Sequence, residues 1–141
     1  MNDINLQKKS NNYKSELIIL FCMSIIMMFF FNKQIRDYIP ILFLLIGFMR
    51  FAYLTWKKFY ELSDILINNY KDLLNDNGIQ FKKFGGMNKV DFFDLITQRE
   101  KLIEKEQSLK FDITEFITLK NITIISFLCF GILGLISVLM A

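Results

Sequence analysis

The sequence predicts an all-α integral membrane protein with three transmembrane helices and a cytosolic helical hairpin between the second and the third. Of its 141 residues, 53% are hydrophobic, and the mean hydropathy is +0.34. A soluble domain of this length cannot bury so much apolar surface. The apolar residues gather in three stretches, and a polar segment separates the second from the third. These observations favour a chain that exposes apolar surface to lipid.

The first apolar stretch, Leu17–Phe31, follows a cytosolic N-terminal tail over residues 1–14. Extended by Asn32 it reaches about 24 Å, which is short for a bilayer core. The basic tail resembles the start of a signal peptide, but no small-residue cleavage pattern follows it. We therefore expect an uncleaved span.

The second stretch begins after Asp37 and runs to about Trp56. Pro40 falls in its first turn, where a proline costs no hydrogen bond. The first two spans therefore form a transmembrane hairpin over residues 15–56.

The end of the second span carries the predicted membrane-interface residues Arg50, Trp56, Lys57 and Lys58. Arg50 lies about two turns before the lysines, close enough to reach the same interface. The alternative for Arg50 is an interhelical or lipid-phosphate contact. Trp56 is predicted to belong to an aromatic belt at the membrane surface, which also includes Tyr53, Phe59 and Tyr60.

The third transmembrane helix is predicted over residues 121–141, because Ile122–Ala141 contains no charged residue. Gly131, Gly134 and Ser137 recur every three residues on this helix. Small side chains let two helices approach closely. We interpret the three residues as a helix-packing seam, used within the protein or between copies.

The basic residues predict the orientation. The turn between the first two spans holds only Lys33 and Arg36, and no basic residue follows the third span. Because Lys and Arg concentrate on the cytosolic side, we expect a cytosolic N-terminus and an external C-terminus. The preference for Lys over Arg and the many Ile and Asn residues are typical of an AT-rich genome, and the predicted location is the bacterial inner (plasma) membrane.

Residues 57–120 are predicted to form the cytosolic helical hairpin. Its first helix continues the second span to about Asn75, with an apolar stripe at 3.6-residue spacing over residues 59–73. Gly78 then supplies a left-handed cap. Its second helix begins near Asn88 as N-cap, and a break near residues 110–112 precedes the final helix. The alternative is one unbroken helix from Lys89 to the C-terminus.

The predicted loop between these two helices is unusually apolar. It interleaves Ile79, Phe81, Phe84 and Met87 with Lys82 and Lys83. Such a loop packs back on the hairpin, dips into the cytosolic leaflet or meets a protein partner. We take Phe81, Lys82, Lys83 and Phe84 as candidate partner or lipid contacts. Gly85 and Gly86 stand beside the lysines, but their spacing matches no phosphate-binding loop.

Residues for catalysis are missing from the sequence. It contains no His, and both cysteines, Cys22 and Cys129, lie inside apolar stretches. No nucleophile stands beside a plausible base, so we predict no enzyme activity, no cofactor and no metal. Acidic residues are interspersed with the basic ones in the middle segment, which argues against nucleic acid. The expected partners are membrane lipids and either further copies of the chain or a membrane complex.

Two resemblances bear on function. Residues 130–137, Phe-Gly-Ile-Leu-Gly-Leu-Ile-Ser, resemble the last span of the small immunity proteins that protect bacteria from pore-forming colicins. That resemblance implies few spans, an inward N-terminus and binding to another membrane protein. The two-span hairpin followed by a cytosolic helix is similar in architecture to the membrane effectors of bacterial anti-phage systems, which self-associate and breach the inner membrane.

The sequence therefore predicts a non-enzymatic inner-membrane protein that acts by helix association and cytosolic partner binding, as an oligomeric membrane-perturbing effector or pore subunit. The alternative is an immunity or accessory subunit that binds another membrane protein, such as a pore-forming bacteriocin.

Overall fold

The computed structural model describes residues 2–84 and 86–140, without the side chains of Asn2, Asp3, Asn5, Leu6 and Phe84. This part of the chain is mostly helical. It divides into two compact units. The first unit comprises residues 3–55 and 118–140, and the second comprises Trp56–Ile117.

The elements follow one another along the chain as helices interrupted by one β-hairpin. In order they are α1 (Asn2–Phe30), α2 (Lys33–Arg36), α3 (Ile39–Phe43), a π-helical segment (Leu44–Phe48), α4 (Met49–Asn69), α5 (Lys71–Asp76), β1 (Phe81–Phe84), β2 (Met87–Val90), α6 (Phe92–Thr97), α7 (Arg99–Lys105), a 3-10 turn (Gln107–Leu109) and α8 (Lys110–Leu139).

Three helical stretches are long and apolar enough to cross a membrane, namely Gln7–Phe30, Lys33–Asn69 and Gln107–Leu139. The prediction of three span-like helices is confirmed. The first is longer than its apolar run Leu17–Phe31, because the polar residues before Leu17 continue the same helix. Its 24 residues correspond to about 36 Å, of which the apolar part from Leu17 to Phe30 accounts for about 21 Å.

The connection between α1 and α4 is built from short capped pieces. The Asn32 side chain accepts the Ile35 N–H at 3.2 Å and caps α2. Pro40 lies in the first turn of α3, as predicted. The π-helical segment contains buried Gly47, and a Cβ there would lie 3.5 Å from the Phe43 ring. The widened turn therefore packs closely against an aromatic side chain.

The core of the first unit is small compared with its apolar content. Its buried members are Leu17, Met28, Ile39, Phe43, Phe51, Ile122 and Leu133. Many large apolar side chains of the same helices remain exposed, among them Phe30 at 84% and Leu139 at 84%. A surface this apolar is typical of helices that face lipid.

The core of the second unit is larger and continuous. Its buried members are Phe59, Leu62, Leu66, Leu74, Ile79, Val90, Leu95, Leu102, Leu109, Ile113 and Phe116. An aromatic group lies at its centre, where the Phe59 and Phe92 ring centroids are 5.2 Å apart and those of Phe92 and Phe116 are 5.5 Å apart. The apolar stripe predicted for residues 59–73 faces this core.

The first helix of the middle segment ends at the predicted cap, but it is not continuous as predicted. Tyr70 leaves helical geometry and separates α4 from α5. Gly78 has φ +66°. The Ile79 N–H donates to the Leu74 carbonyl, and the Gly78 N–H donates to the Asn75 carbonyl. These two bonds form a Schellman cap with the apolar contact between Leu74 and Ile79 that such caps favour.

The prediction of an all-α fold is wrong in the middle segment, where the predicted loop is a two-stranded antiparallel hairpin. Phe81 pairs with Val90, and Phe84 pairs with Met87, so only residues 85 and 86 connect the strands. Gly86 has φ +85°, and a Gly-Gly pair favours such two-residue turns. The buried Val90 N–H donates to Ser63 Oγ at 2.8 Å, which ties β2 to α4.

The predicted helix boundaries after this hairpin are also wrong by a few residues. Asn88 lies in β2, and Asp91 is the N-cap instead. Asp91 Oδ1 accepts the N–H groups of Phe93 at 2.8 Å and Asp94 at 3.1 Å. The break before the last helix falls at Glu106 rather than at residues 110–112. Asp112 therefore lies inside α8, where it binds Lys58 instead of capping a helix.

From the environment of Asp91 we expect the second unit to lose stability in acid. Its second oxygen forms an ion pair with Lys82. The Lys82 hydrogen bond lowers the pKa of Asp91 below its ordinary value; burial opposes this, and the N–H groups of Asp94 and Phe93 reinforce it. Because the pKa of Asp91 is lower in the folded than in the unfolded protein, its ionised carboxylate stabilises the fold fully above about pH 4. This stabilisation is lost as the pH falls through the pKa of the folded state.

We expect Asp91→Asn to lower the unfolding midpoint in detergent at neutral pH and to flatten its decline below about pH 4. Thermal unfolding followed by circular dichroism between pH 3 and pH 7 measures both effects. Asp76→Asn is the matched control, because Asp76 is an exposed carboxylate of the same unit. An unchanged pH slope in Asp91→Asn contradicts the assignment.

Candidate functional site

Arg50 lies on α4 within the first unit, where it meets a carboxylate of another helix. Its Nη2 atom is 2.9 Å from Oε1 of Glu16 on α1. The two side chains are 56% and 29% exposed. The structure thus gives Arg50 the interhelical contact that was the alternative to a purely interfacial role. An ion pair this exposed contributes at most about 1 kcal/mol.

The remaining predicted interface residues belong to the second unit and differ from one another. Lys57 is exposed. Lys58 is only 13% exposed, with Nζ 2.7 Å from Asp112 Oδ1 and 3.0 Å from Glu115 Oε2 of α8. The prediction that Lys58 extends to the membrane interface is therefore not supported by its position. Two nearby carboxylates hold its ammonium group inside the protein.

The predicted aromatic belt is divided in the same way. Phe59 is 1% exposed and belongs to the core, so its assignment to the belt is wrong. Tyr53 and Trp56 are 66% and 44% exposed. The Trp56 and Phe92 ring centroids lie 5.8 Å apart. Phe92 also contacts the ring of Phe93 at 5.8 Å, and Phe93 is 74% exposed. The exposed aromatic rings of the second unit thus rest on its core.

The three small residues predicted as one seam occupy different environments. Ser137 is buried, and its hydroxyl donates to Asp37 Oδ1 at 3.0 Å. Gly134 lines a hollow of 410 Å³ together with Asp37 and Pro40. Gly131 is exposed. Apart from the adjacent residues and the backbone of the same helix turn, no heavy atom of the described residues lies within 4 Å of a Cβ built on either glycine. Only the Ser137 end of the predicted seam is therefore used within the chain.

A polar cluster holds the end of α8 against the α1–α3 connection. Arg36 Nη2 donates to the Met140 carbonyl at 2.7 Å. The neighbouring Asp37 accepts the Ser137 hydroxyl. A cation near a helix C-terminus is favourable because it satisfies carbonyls that have no helical partner. Arg36 and Asp37 were not predicted as site residues, although two opposite charges between two spans were a signal for such an anchor.

The predicted partner or lipid loop is the β-hairpin of the second unit. Phe81 is 37% exposed, and Lys83 is exposed. Lys82 is held by Asp91. Phe84 ends β1, and its side chain lies outside the described residues. Of the described side chains in this predicted set, Phe81 and Lys83 are therefore exposed, and Lys82 is exposed but paired.

Lys89 lies opposite Lys82 in the hairpin, yet it is buried at 2% exposure. Its Nζ is 2.5 Å from Asp64 Oδ1 and 5.0 Å from the Tyr60 ring centroid. Two of the three lysines near the glycines are therefore already neutralised by carboxylates. This arrangement argues against a phosphate cradle at Gly85 and Gly86; Gly85 itself lies outside the described residues.

Metal-ligating residues do not gather anywhere in the described part of the chain. No group of three or more His, Cys, Asp or Glu side chains lies close enough there to hold an ion. Cys22 is an exposed thiol and Cys129 a half-buried one, both unbridged. The arrangement that stands out is the set of interhelical polar contacts in the first unit.

Comparisons with protein-family models, with curated proteins and with solved structures gave no match. Three span-like helices are compatible with a multi-pass membrane protein.

The Arg50–Glu16 ion pair is testable by a double-mutant cycle. We expect Glu16→Gln and Arg50→Gln each to destabilise the detergent-solubilised protein, and the double variant to lose less than the sum, with a coupling of up to about 1 kcal/mol. The coupling energy is obtained from the unfolding midpoints of the four proteins at low and high salt. We expect salt to weaken the coupling. Lys57→Gln is the control on the same helix, and fully additive effects contradict the pair.

Proposed function

We propose that this chain is a non-enzymatic protein of the bacterial inner membrane that acts by associating with further copies of itself through α8. One observation carries the proposal. Gly131 lies on the exposed side of an apolar helix, and no described residue beyond its own helix turn lies within 4 Å of its Cβ position. A lipid-facing glycine without a neighbour in its own chain is the kind of position at which a second helix approaches closely.

The side chains around Gly131 support close helix packing. Leu128 and Leu135 are exposed by 59% and 66%. By helix geometry they lie about 60° and 40° to one side of Gly131, and Gly134 lies about 60° to the other side. The two glycines carry no side chain and therefore leave a shallow groove in the apolar surface. In lipid no hydrophobic effect drives helices together, so they associate through close van der Waals packing. A second α8 seated here gains contacts that lipid chains fill poorly.

The orientation that we propose follows the distribution of basic residues. Lys33 and Arg36 would lie outside, together with the C-terminus, while the N-terminus and the second unit would lie in the cytosol. The contact between Arg36 and the Met140 carbonyl joins the turn to the end of the third span, and this orientation requires both to lie on the same side. An assembly of the spans would perturb the membrane or form a pore, and the second unit would bind further copies or a partner.

We expect Gly131→Leu combined with Gly134→Leu to convert a discrete oligomer into a monomer, because the added side chains fill the groove. Native mass spectrometry of the detergent- or nanodisc-solubilised protein measures the change. Ile132→Phe is the control, since it adds apolar volume about 100° around the same helix. An oligomer that survives the double glycine variant contradicts association through this face.

Membrane perturbation is a separate step and needs its own measurement. We expect wild-type protein in liposomes to release an encapsulated dye, and the double glycine variant to release little. Ile132→Phe should behave as wild type. Oligomers that release no dye would support association without a pore or membrane-perturbing function. Catalytic turnover by the purified protein would contradict the non-enzymatic assignment.

The second candidate is an immunity or accessory subunit that binds another membrane protein. The exposed ring of Phe93 favours it, because a large apolar side chain at 74% exposure is typical of contact surfaces. A wild-type monomer in native mass spectrometry would support this candidate. Phe93→Ser would then be expected to weaken the complex with the partner while leaving the fold unchanged.

A further inference from the structure

A groove with two chemically different ends lies between α1 and α8 in the first unit. Its volume is 440 Å³. It is lined by Lys14, Leu17, Ile18, Thr118, Asn121, Ile122 and Ile125. Leu17 and Ile122 are buried and form its floor. Ile18 and Ile125 are exposed by 61% and 49% and form its apolar walls.

The polar end of the groove coincides with the start of the apolar runs of both helices. Lys14 precedes Leu17 by one turn, and Asn121 directly precedes Ile122. The two polar side chains therefore lie at one level, and the apolar walls extend from that level in the same direction along both helices. In a bilayer this places Lys14 and Asn121 at headgroup depth and Ile18 and Ile125 beside acyl chains.

Lys14 differs from the lysines that the protein neutralises itself. Lys58, Lys82 and Lys89 each pair with a carboxylate. Within the described residues Lys14 has no such partner, and Glu16, two residues further along α1, is bound to Arg50. Its ammonium group is thus available to an anion from outside the chain. Asn121 is exposed and adds an amide that donates and accepts hydrogen bonds.

We propose that this groove binds one anionic phospholipid. The headgroup phosphate contacts Lys14 and Asn121, and one acyl chain lies along Ile18 and Ile125 over the floor of Leu17 and Ile122. A free phosphate ion matches only the polar end, whereas a phospholipid matches both ends. The site is separate from the glycine face of α8 and goes beyond the proposed self-association.

The experiment compares lipid retention in native mass spectrometry. Protein is purified in mild detergent with phosphatidylglycerol or phosphatidylcholine of identical acyl chains. A lysine near an anionic surface contributes about 1 kcal/mol, which corresponds to about fivefold in binding. We expect wild-type protein to retain about fivefold more phosphatidylglycerol than phosphatidylcholine, and Lys14→Gln to retain both equally.

Lys8→Gln is the matched control, because it removes the same charge from an exposed position of the same helix. It should keep the wild-type preference, as should Lys14→Arg. Ile125→Trp, which fills the apolar part, should reduce retention of phosphatidylglycerol while leaving the unfolding midpoint unchanged. These outcomes do not depend on the oligomeric state. The experiment can therefore exclude the lipid site without excluding self-association, and the reverse.

Three results would overturn the proposal. Equal retention of the two lipids by wild-type protein would exclude a preference for the anionic headgroup. An equal loss of the preference for phosphatidylglycerol in Lys8→Gln and Lys14→Gln would indicate that the charge of the helix as a whole attracts the lipid. Glycerol phosphate and added phosphatidylglycerol are compared as competitors for the bound lipid. If both displace it at the same concentration, the apolar part of the groove makes no contribution to binding.

Discussion

Polar groups inside an apolar helix must find partners within the protein, because a bilayer core offers no water to satisfy them. The first unit meets this constraint by local hydrogen bonds to preceding carbonyls. Hydroxyl groups donate in this way from Ser24 to Leu20, from Thr55 to Phe51, from Thr123 to Leu119 and from Ser126 to Thr123. The Thr55 and Thr123 hydroxyls also lie 2.8 Å apart. When one of them donates to the other instead of to its own carbonyl, it links α4 to α8. Polar side chains therefore hold helices together here while most of the apolar surface stays outside.

Charged residues also have partners within the chain in both units. Arg50 meets Glu16 and Arg36 meets the Met140 carbonyl in the first unit, while Lys58 and Lys89 meet carboxylates in the second. A buried ammonium without a partner costs several kcal/mol, so these pairs are needed wherever the fold covers a lysine. The cations that stay exposed and unpaired among the described residues, such as Lys14 and Lys83, are therefore available for contacts outside the chain.

The sequence was sufficient for features that depend on composition along one helix. The three spans, the apolar stripe of residues 59–73 and the Gly78 cap were predicted because hydropathy, periodicity and a positive φ act locally. The β-hairpin was missed because the run Phe-Lys-Lys-Phe does not alternate, and because β2 depends on a distant hydrogen bond from Val90 to Ser63. The partners of Arg50 and Lys58 were missed for the same reason, since ion pairs between helices depend on tertiary packing.

The small residues of α8 were predicted as one seam from their spacing, and the structure separates them. A step of three residues turns by about 300° around a helix, so Gly131, Gly134 and Ser137 spread over about 120°. Ser137 is committed to Asp37 inside the chain, whereas Gly131 faces outward. The proposed association between chains would therefore use a different side of the helix from the packing within the chain. A second copy docked at Gly131 would leave the Asp37–Ser137 contact intact, so the proposed assembly would require no rearrangement of the first unit.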